Sequence, residues 1–319
     1  MIYPIKTVPV FKQYIWGGNT LETKFGKNIP DGFAAESWEI SCHSDGLCTV
    51  ANGEHKGKTL REVVFSNPAQ MLGKDNADEF PLLVKLLDAK DKLSVQVHPD
   101  NEFAAKHENG ELGKTEMWYV VDAKPGAVLV YGLKEGANEK MLEEAINNGT
   151  LEELLNYVPV KKGDSFFIPA GTIHAICDGL LIAEIQQSSN TTYRVYDYNR
   201  IDKDGNKRPL HTQKAVQATK YDFSHSCSDA GKTEMIDGGT MKILAQCEYF
   251  SVIKYDVETE IEIQKPTSKF EMLVCTEGKA VIKYDDGEEI ITGGDSFFIP
   301  AAMKNYRICG LAEILRSFE

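Results

Sequence analysis

Ser94-Val95-Gln96-Val97-His98-Pro99-Asp100 sets an amide and an imidazole two residues apart in a run that reads as a strand. Side chains alternate along a strand. Leu93, Val95 and Val97 are therefore expected on an apolar face, and Ser94, Gln96 and His98 together on the other. The same alternation puts Lys114, Glu116 and Trp118 of Lys114-Thr115-Glu116-Met117-Trp118 on one face. Further on, Ile168-Pro169-Ala170-Gly171-Thr172-Ile173 leads to His174. Two imidazoles, a carboxylate and an amide form a donor set for a divalent ion such as zinc. Catalytic zinc takes His, Cys and carboxylate ligands and keeps a position open for water or substrate. A glutamine is unusual there, and its neutral oxygen leaves the ion more Lewis acidic than a second carboxylate would. Each piece has a plainer reading: Gln-x-His occurs often without metal, and Lys with Glu suits a solvated strand edge.

A repeat within the chain sharpens the choice. Gly-Asp-Ser-Phe-Phe-Ile-Pro-Ala occurs at 163–170 and again at 294–301. The first copy leads to His174, the second to Asn305 in register with it. The pattern is that of a duplicated unit with one surviving centre. Lys269-Phe270-Glu271-Met272 resembles Lys114–Met117 and keeps the glutamate. Phe250–Tyr255 resembles Leu93–His98 in pattern, with Ile253 and Tyr255 in the places of Gln96 and His98. On that pairing the second unit lacks every ligand but the glutamate.

The stretch Gln186–Arg200 is polar and aromatic, with Arg194 and Arg200 in an acidic chain. Exposed arginines commonly pair with local carboxylates. The functional alternative is that they bind an anionic substrate and stabilise charge developing on an oxygen. Glu184, just upstream, could serve as a carboxylate base.

The elements that must carry these residues read mainly as strands. Leu82–Leu87, Leu93–Val97, Trp118–Val121, Ala127–Tyr131 and Ser165–Ile168 are short apolar or alternating runs between Gly, Pro, Asp or Lys clusters. Such spacing points to antiparallel barrels or jelly rolls. Helices are expected over Thr59–Phe65 continuing to Pro68–Leu72, and over Asn138–Asn148 followed by Leu151–Tyr157, with Gly149-Thr150 as a stop and a new N-cap. They read as insertions near 57–76 and 134–158. A polar linker is expected over 220–235, with Ser224, Ser226, Ser228, Asp229, Gly231 and Lys232. Beyond it Met241–Leu244, Phe250–Tyr255, Phe270–Val274, Ala280–Tyr284 and Ser296–Ile299 read as strands, and Asp285-Asp286-Gly287 as a hairpin turn. The expected architecture is two β-barrels: a catalytic unit over 1–232 and a second unit over 233–319 without the metal set.

A chain of 319 residues is long enough for two such units. Its net charge of −13 argues against a nucleic-acid partner, yet a few local cations can still hold one small anion. The seven cysteines are odd in number and lack a Cys-x-x-Cys pair, which suggests reduced thiols and a cytoplasmic setting. No signal-peptide layout is read at Met1–Lys6 and no run of about 18 apolar residues occurs, so no membrane partner is expected.

At these residues the sequence resembles the type I mannose-6-phosphate isomerases, zinc-dependent phosphomannose isomerases of the cupin superfamily, in their short bacterial form. The matching elements are Trp16-Gly17-Gly18, Ala35-Glu36-Ser37-Trp38-Glu39, Ser94–Asp100, Gly113–Trp118, Ile168–His174 and Thr192-Tyr193-Arg194-Val195-Tyr196-Asp197. The resemblance implies two jelly-roll (cupin) barrels and one zinc ion per chain on Gln96, His98, Glu116 and His174. It implies Arg194 as the catalytic arginine, with Ser94, Lys85, Lys114 and Arg200 near the substrate or its phosphate. The implied reaction interconverts mannose 6-phosphate and fructose 6-phosphate through a cis-enediolate, in a monomer or weak homodimer.

The residues suit that chemistry. A metal polarising the substrate oxygens makes the C–H proton removable, and Arg194 adds charge stabilisation. Glu184 and Lys114 both remain candidates for the base, with Glu184 preferred because it ionises readily. His43 is a further candidate for ring opening. Two rival readings stand beside this one. An iron oxygenase could use His98, His174 and Glu116, and a non-catalytic sugar-binding cupin would hold the metal structurally.

Overall fold

The computed structural model describes residues 2–201, 205–222, 231–265 and 269–319. Ser224, Ser226, Ser228 and Asp229 of the expected linker lie outside them. The first part of the chain forms β1 (Ile5–Val8), β2 (Val10–Lys12), α1 (Thr20–Phe25), β3 (Glu36–Ile40), β4 (Thr49–Val50), α2 (Leu60–Ser66), α3 (Pro68–Leu72), β5 (Leu82–Ala89), β6 (Val95–Val97) and α4 (Asn101–His107). It continues through β7 (Glu116–Ala123), β8 (Val128–Leu133), α5 (Glu139–Asn148), β9 (Leu155–Pro159), β10 (Ser165–Ile168), β11 (His174–Ile176), β12 (Leu180–Gln187), β13 (Tyr193–Tyr196) and α6 (Thr212–Ala218). The second part holds β14 (Glu234–Ile236), β15 (Gly239–Gln246), β16 (Ser251–Val257), β17 (Glu260–Ile263), β18 (Glu271–Tyr284), β19 (Gly287–Thr292), β20 (Ser296–Ile299) and β21 (Tyr306–Phe318). The protein is mainly β, as the spacing of its apolar runs predicts. Among the described residues no helix is long and apolar enough to cross a membrane.

Two antiparallel sheets make the first unit, in the orders β10-β7-β12-β5-β3-β2 and β13-β6-β11-β8-β9. Strand alternation determines what fills the space between them. From the larger sheet Trp118, Val120, Leu87, Ala89, Ile182 and Leu180 meet Leu129, Tyr131 and Ile176 of the smaller. The intervening residues Met117, Tyr119, Val84, Leu86, Ala183 and Ile185 face the other way, into a core shared with Phe250, Phe270, Phe298 and Leu315 of the second part. The larger sheet is thus apolar on both faces, which is why its strands read as near-continuous hydrophobic runs. The smaller sheet turns Val95, Val97, Val130, Tyr193 and Val195 outward, onto a core roofed by Leu142 of α5 and Ala215 and Val216 of α6.

The second part forms one sheet with the order β14-β15-β16-β21-β18-β20-β1-β4, with β17 and β19 branching from the long bent strands β21 and β18. The run Phe270–Val274, from Glu271 onward, and the run Ala280–Tyr284 fall within one strand of 14 residues. The Asp285-Asp286 hairpin turn closes between the paired Tyr284 and Gly287. β1 and β4, from the start of the chain, extend this C-terminal sheet, so a cut at residue 232 does not separate the sheets.

Hydrogen-bond register reveals how the two parts correspond. Glu116 pairs with Ile168 of the first octapeptide, and Glu271 with the matching Ile299 of the second. Two residues on, Trp118 stands opposite Glu184, and Leu273 opposite Arg316. Lys85 pairs with Glu184, and Ile253 with Arg316. β16 is therefore the counterpart of β5. This corrects the pairing of Phe250–Tyr255 with Leu93–His98: the segment matches Leu82–Leu87. Both runs share one periodicity, and periodicity does not say which neighbour a strand will find. β17 instead takes the place of β6, pairing with the start of β21 as β6 pairs with β11.

Two local expectations also change. Leu151–Tyr157 is not a helix: a single 3-10 turn over Leu151–Glu153 leads into β9. Gly149 does stop α5 in a left-handed conformation, but the Thr150 side chain makes no capping bond. Leu93 precedes β6, and it joins the core between the sheets rather than the one holding Val95 and Val97. By contrast the helix expected from Thr59 is present as α2, with Thr59 as its N-cap and a full capping box to Glu62.

Candidate active site

At one end of the first unit the inward positions change from apolar to charged. Along β7 they run Val120, Trp118, Glu116; along β12, Leu180, Ile182, Glu184; along β5, Ala89, Leu87, Lys85. The facing sheet sets His174 opposite Gln96 and Gln96 opposite Arg194 across three neighbouring strands. His98 follows Gln96 on the same side, one residue past the end of β6.

Loop chemistry completes the placement. Asp100 caps α4 by accepting from the Phe103 N–H at 2.9 Å, which turns the chain sharply after His98 and Pro99. Gly113 lies directly against this turn: a Cβ there would come within 2.4 Å of the Asn101 nitrogen. The Lys114 N–H donates to the Pro99 carbonyl at 2.9 Å, so the lysine arrives beside His98. Gly171 has φ +90° and donates its N–H to the His98 carbonyl at 2.8 Å. That left-handed turn suits glycine and delivers the chain to His174.

His98, Glu116 and His174 each bring a ligand atom within 4.8 Å of the others, and all three are buried. His98 Nε2 lies 3.2 Å from Glu116 Oε1, and His174 Nε2 3.7 Å from Oε2. Each imidazole uses Nδ1 on a backbone carbonyl: Thr191 for His98 and Thr172 for His174, both at 2.9 Å. With Nδ1 as the donor, the lone pair of each Nε2 is turned into the cluster. Glu116 Oε2 and His174 Nε2 are buried without a hydrogen-bond partner, while Glu116 Oε1 faces the Lys114 ammonium. Buried polar atoms are rarely left so, and this set of atoms fits a divalent cation. Lys114 Nζ is 2.5 Å from Glu116 Oε1 and 3.2 Å from His98 Nε2.

Electrostatics follow the packing. Burial pushes His98 down to about 3, with the Lys114 charge adding to it. Burial also lowers His174. Burial by itself would raise Glu116, but Lys114 and the two imidazoles outweigh it and hold the carboxyl well below its ordinary value. Glu184 goes the other way, raised by burial and by the Glu116 charge. Its Oε2 accepts from Trp118 Nε1 at 2.9 Å, and its Oε1 is 3.4 Å from Lys85 Nζ.

A cleft of about 280 Å³ opens beside this cluster, lined by Lys85, Ser94, Gln96, Lys114, Glu184 and Arg194. Arg200 is not among its lining residues. The Arg200 guanidinium is held by Asp197, Asp91 and the Lys92 carbonyl instead. His43 lines a separate cavity with Arg61 and Glu111. Sequence reasoning missed Arg208, Glu36, Tyr14, Trp16, Asn190 and Thr192, which also line the cleft. Glu36 and Trp16 sit inside two of the motifs quoted above, which was the available signal. Arg208, beside Lys207 outside every quoted motif, had none.

The second part carries the same position without a metal set. Glu271 is buried at the place of Glu116, and Arg316 at the place of Glu184 turns its guanidinium onto it. Tyr306 donates to Glu271 Oε2 at 2.8 Å, and Arg316 Nη1 to the Tyr255 hydroxyl at 3.1 Å. An organic cation there neutralises the carboxylate.

Comparison with known proteins agrees across the chain. Residues 5–125 match the model of the phosphomannose isomerase type I catalytic domain, and residues 240–319 that of the mannose-6-phosphate isomerase cupin domain. A crystal structure of the mannose 6-phosphate isomerase from Bacillus subtilis superposes with a TM-score of 0.93 at 43% identity, covering 98% of this chain and 99% of that one. The mannose-6-phosphate isomerase ManA of Bacillus subtilis is 39% identical over 98% of both chains. The mannose-6-phosphate isomerase of Streptococcus mutans is 39% identical over 95% of this chain and 94% of its own.

Proposed function

The chain belongs to the type I phosphomannose isomerases, and from that membership and the cleft we propose that it interconverts mannose 6-phosphate and fructose 6-phosphate. The single observation that carries the site assignment is the convergence of buried ligand atoms of His98, Glu116 and His174 within 4.8 Å of one another at the edge of the cleft, with Glu116 Oε2 and His174 Nε2 left without a hydrogen-bond partner. We assign His98, Glu116 and His174, with Gln96 from the adjoining strand, to one zinc ion. A zinc ion held there would supply Lewis acidity to the open-chain sugar, acidifying the proton on the carbon next to its carbonyl.

The remaining steps belong to side chains. Glu184 takes the proton from C2 of the aldose and returns it to C1. Its raised pKa makes it a stronger base than an ordinary carboxylate. Trp118 and Lys85 hold the carboxylate in place. Lys114, tied to Glu116 and His98, is the weaker candidate for this task. Arg194 Nε is buried without a partner, and we assign this guanidinium to the negative charge that develops on the substrate oxygens. The phosphate is assigned to Arg208, with Lys85 and Ser94 further along the cleft wall. The matched register of β7, β12, β5 and β3 with β18, β21, β16 and β15 supports two cupin barrels, catalytic over 1–232 and a second over 233–319.

A coupled assay on the purified protein tests this reading. Mannose 6-phosphate should yield a fructose 6-phosphate signal that a chelator removes and zinc restores. Sugar binding without turnover in metal-loaded protein would point to a sugar-binding cupin, and iron with oxygen uptake to an oxygenase; either result defeats the assignment.

A further inference from the structure

Asp197 is a buried carboxylate beside the cleft with no assigned contact to substrate or metal. It accepts from Arg208 Nε at 2.7 Å, from Arg208 Nη2 and from Arg200 Nη2. The backbone shows how it gathers both arginines. The Arg200 N–H closes a tight turn on the Asp197 carbonyl at 3.0 Å. The two residues within that turn, Tyr198 and Asn199, have φ of +53° and +55°. Non-glycine residues adopt such angles rarely, a bulky one most rarely. The turn folds Arg200 back onto Asp197. A bridge between Ile201 and Lys207 then returns the chain so that Arg208 reaches the same carboxylate from its other side. Of these two arginines only Arg208 lines the cleft, next to Arg194. Asp197 engages its Nε and Nη2, which leaves Nη1 as the nitrogen with capacity for a ligand.

We propose that Asp197 is a positioning residue for substrate recognition: it fixes the Arg208 guanidinium so that one edge is presented to the phosphate of the sugar. The proposal rests on the isomerase reading and on Arg208 as its phosphate contact. An arginine already held by a carboxylate loses less rotamer freedom on binding than a free one. The group of one aspartate and two arginines keeps a net positive charge for a dianion. Asp197 thereby favours phosphorylated over unphosphorylated sugar.

Kinetics and calorimetry on the metal-loaded full chain test it. In Asp197→Asn, KM for mannose 6-phosphate and the dissociation constant for inorganic phosphate should both rise about tenfold, while kcat changes less than about twofold. Asp197→Glu should recover part of the phosphate affinity. Combining Asp197→Asn with Arg208→Lys should weaken phosphate no further than the stronger single change. Unchanged phosphate affinity in folded Asp197→Asn, or a loss confined to kcat, overturns the proposal. If Asp197→Asn does not fold, Arg208→Gln takes over the test, and unchanged phosphate affinity there overturns it equally. Failure of the isomerase reading shows separately, as wild-type protein that binds phosphate but does not turn over mannose 6-phosphate.

Discussion

Glu116 Oε2 and His174 Nε2 are ligand-capable atoms buried without a hydrogen-bond partner. That arrangement is costly unless a cation joins it. His174→Ala should therefore abolish metal binding and turnover together, read by metal analysis of the purified variant beside the coupled assay. Arg194→Ala should behave differently. It should keep its metal and lose about 3 kcal/mol of transition-state stabilisation, the scale of one lost oxyanion donor; near-normal kcat would remove the arginine from its assigned role. Asp197 supplies a pH dependence. Burial would raise its pKa, but Arg208 and Arg200 outweigh burial and lower it. The folded state thus binds its proton less readily than the unfolded chain. Its stability contribution is full above the ordinary aspartate range and is lost as pH falls through the lowered value. Urea midpoints of wild type and Asp197→Asn should converge on acidification through that range; a constant gap would show that the arginine pairs contribute nothing.

Strands, rather than loops, carry most of the assigned site, and the duplicated strands show what a site needs. β7 and β18 place Glu116 and Glu271 identically against their octapeptides. What differs is the neighbouring strand, where β12 presents Glu184 and β21 presents Arg316. An arginine in that position occupies the interior and satisfies the carboxylate, so the second unit has no call for an ion. Arg316→Met should leave Glu271 buried and uncompensated and cost about 3–5 kcal/mol, measured by denaturant unfolding. Metal content should stay at one ion per chain. A second ion in that variant would show that arginine and metal compete for the carboxylate.

Across the whole molecule the two units share a core, and the first part of the chain lends two strands to the second sheet. β1 pairs with β20 through Ile5–Phe298 and Lys6–Phe297, and β4 continues that edge. Lys27 bonds the Gly294 carbonyl at 2.7 Å, and the buried Glu39 accepts from Ser296 at 3.1 Å. A fragment of residues 233–319 should therefore lack a folded NMR spectrum by itself and gain one when a peptide of residues 1–12 is supplied. A well-dispersed spectrum from the fragment alone would show that the units are independent.

The strand-rich class, the octapeptide repeat, the helix beginning at Thr59 and the residue types of the metal cluster were all legible in the chain. They depend on local spacing and on donor chemistry, which neighbours along the sequence determine. The match of β16 to β5, the β9 strand after the single turn at Leu151 and the presence of Arg208 rather than Arg200 in the cleft lining were not legible. Each is decided by which backbone a segment pairs with or which carboxylate a cation meets. Those partners lie many residues away or around a turn whose conformation the residue types do not favour, so only the folded chain selects among them.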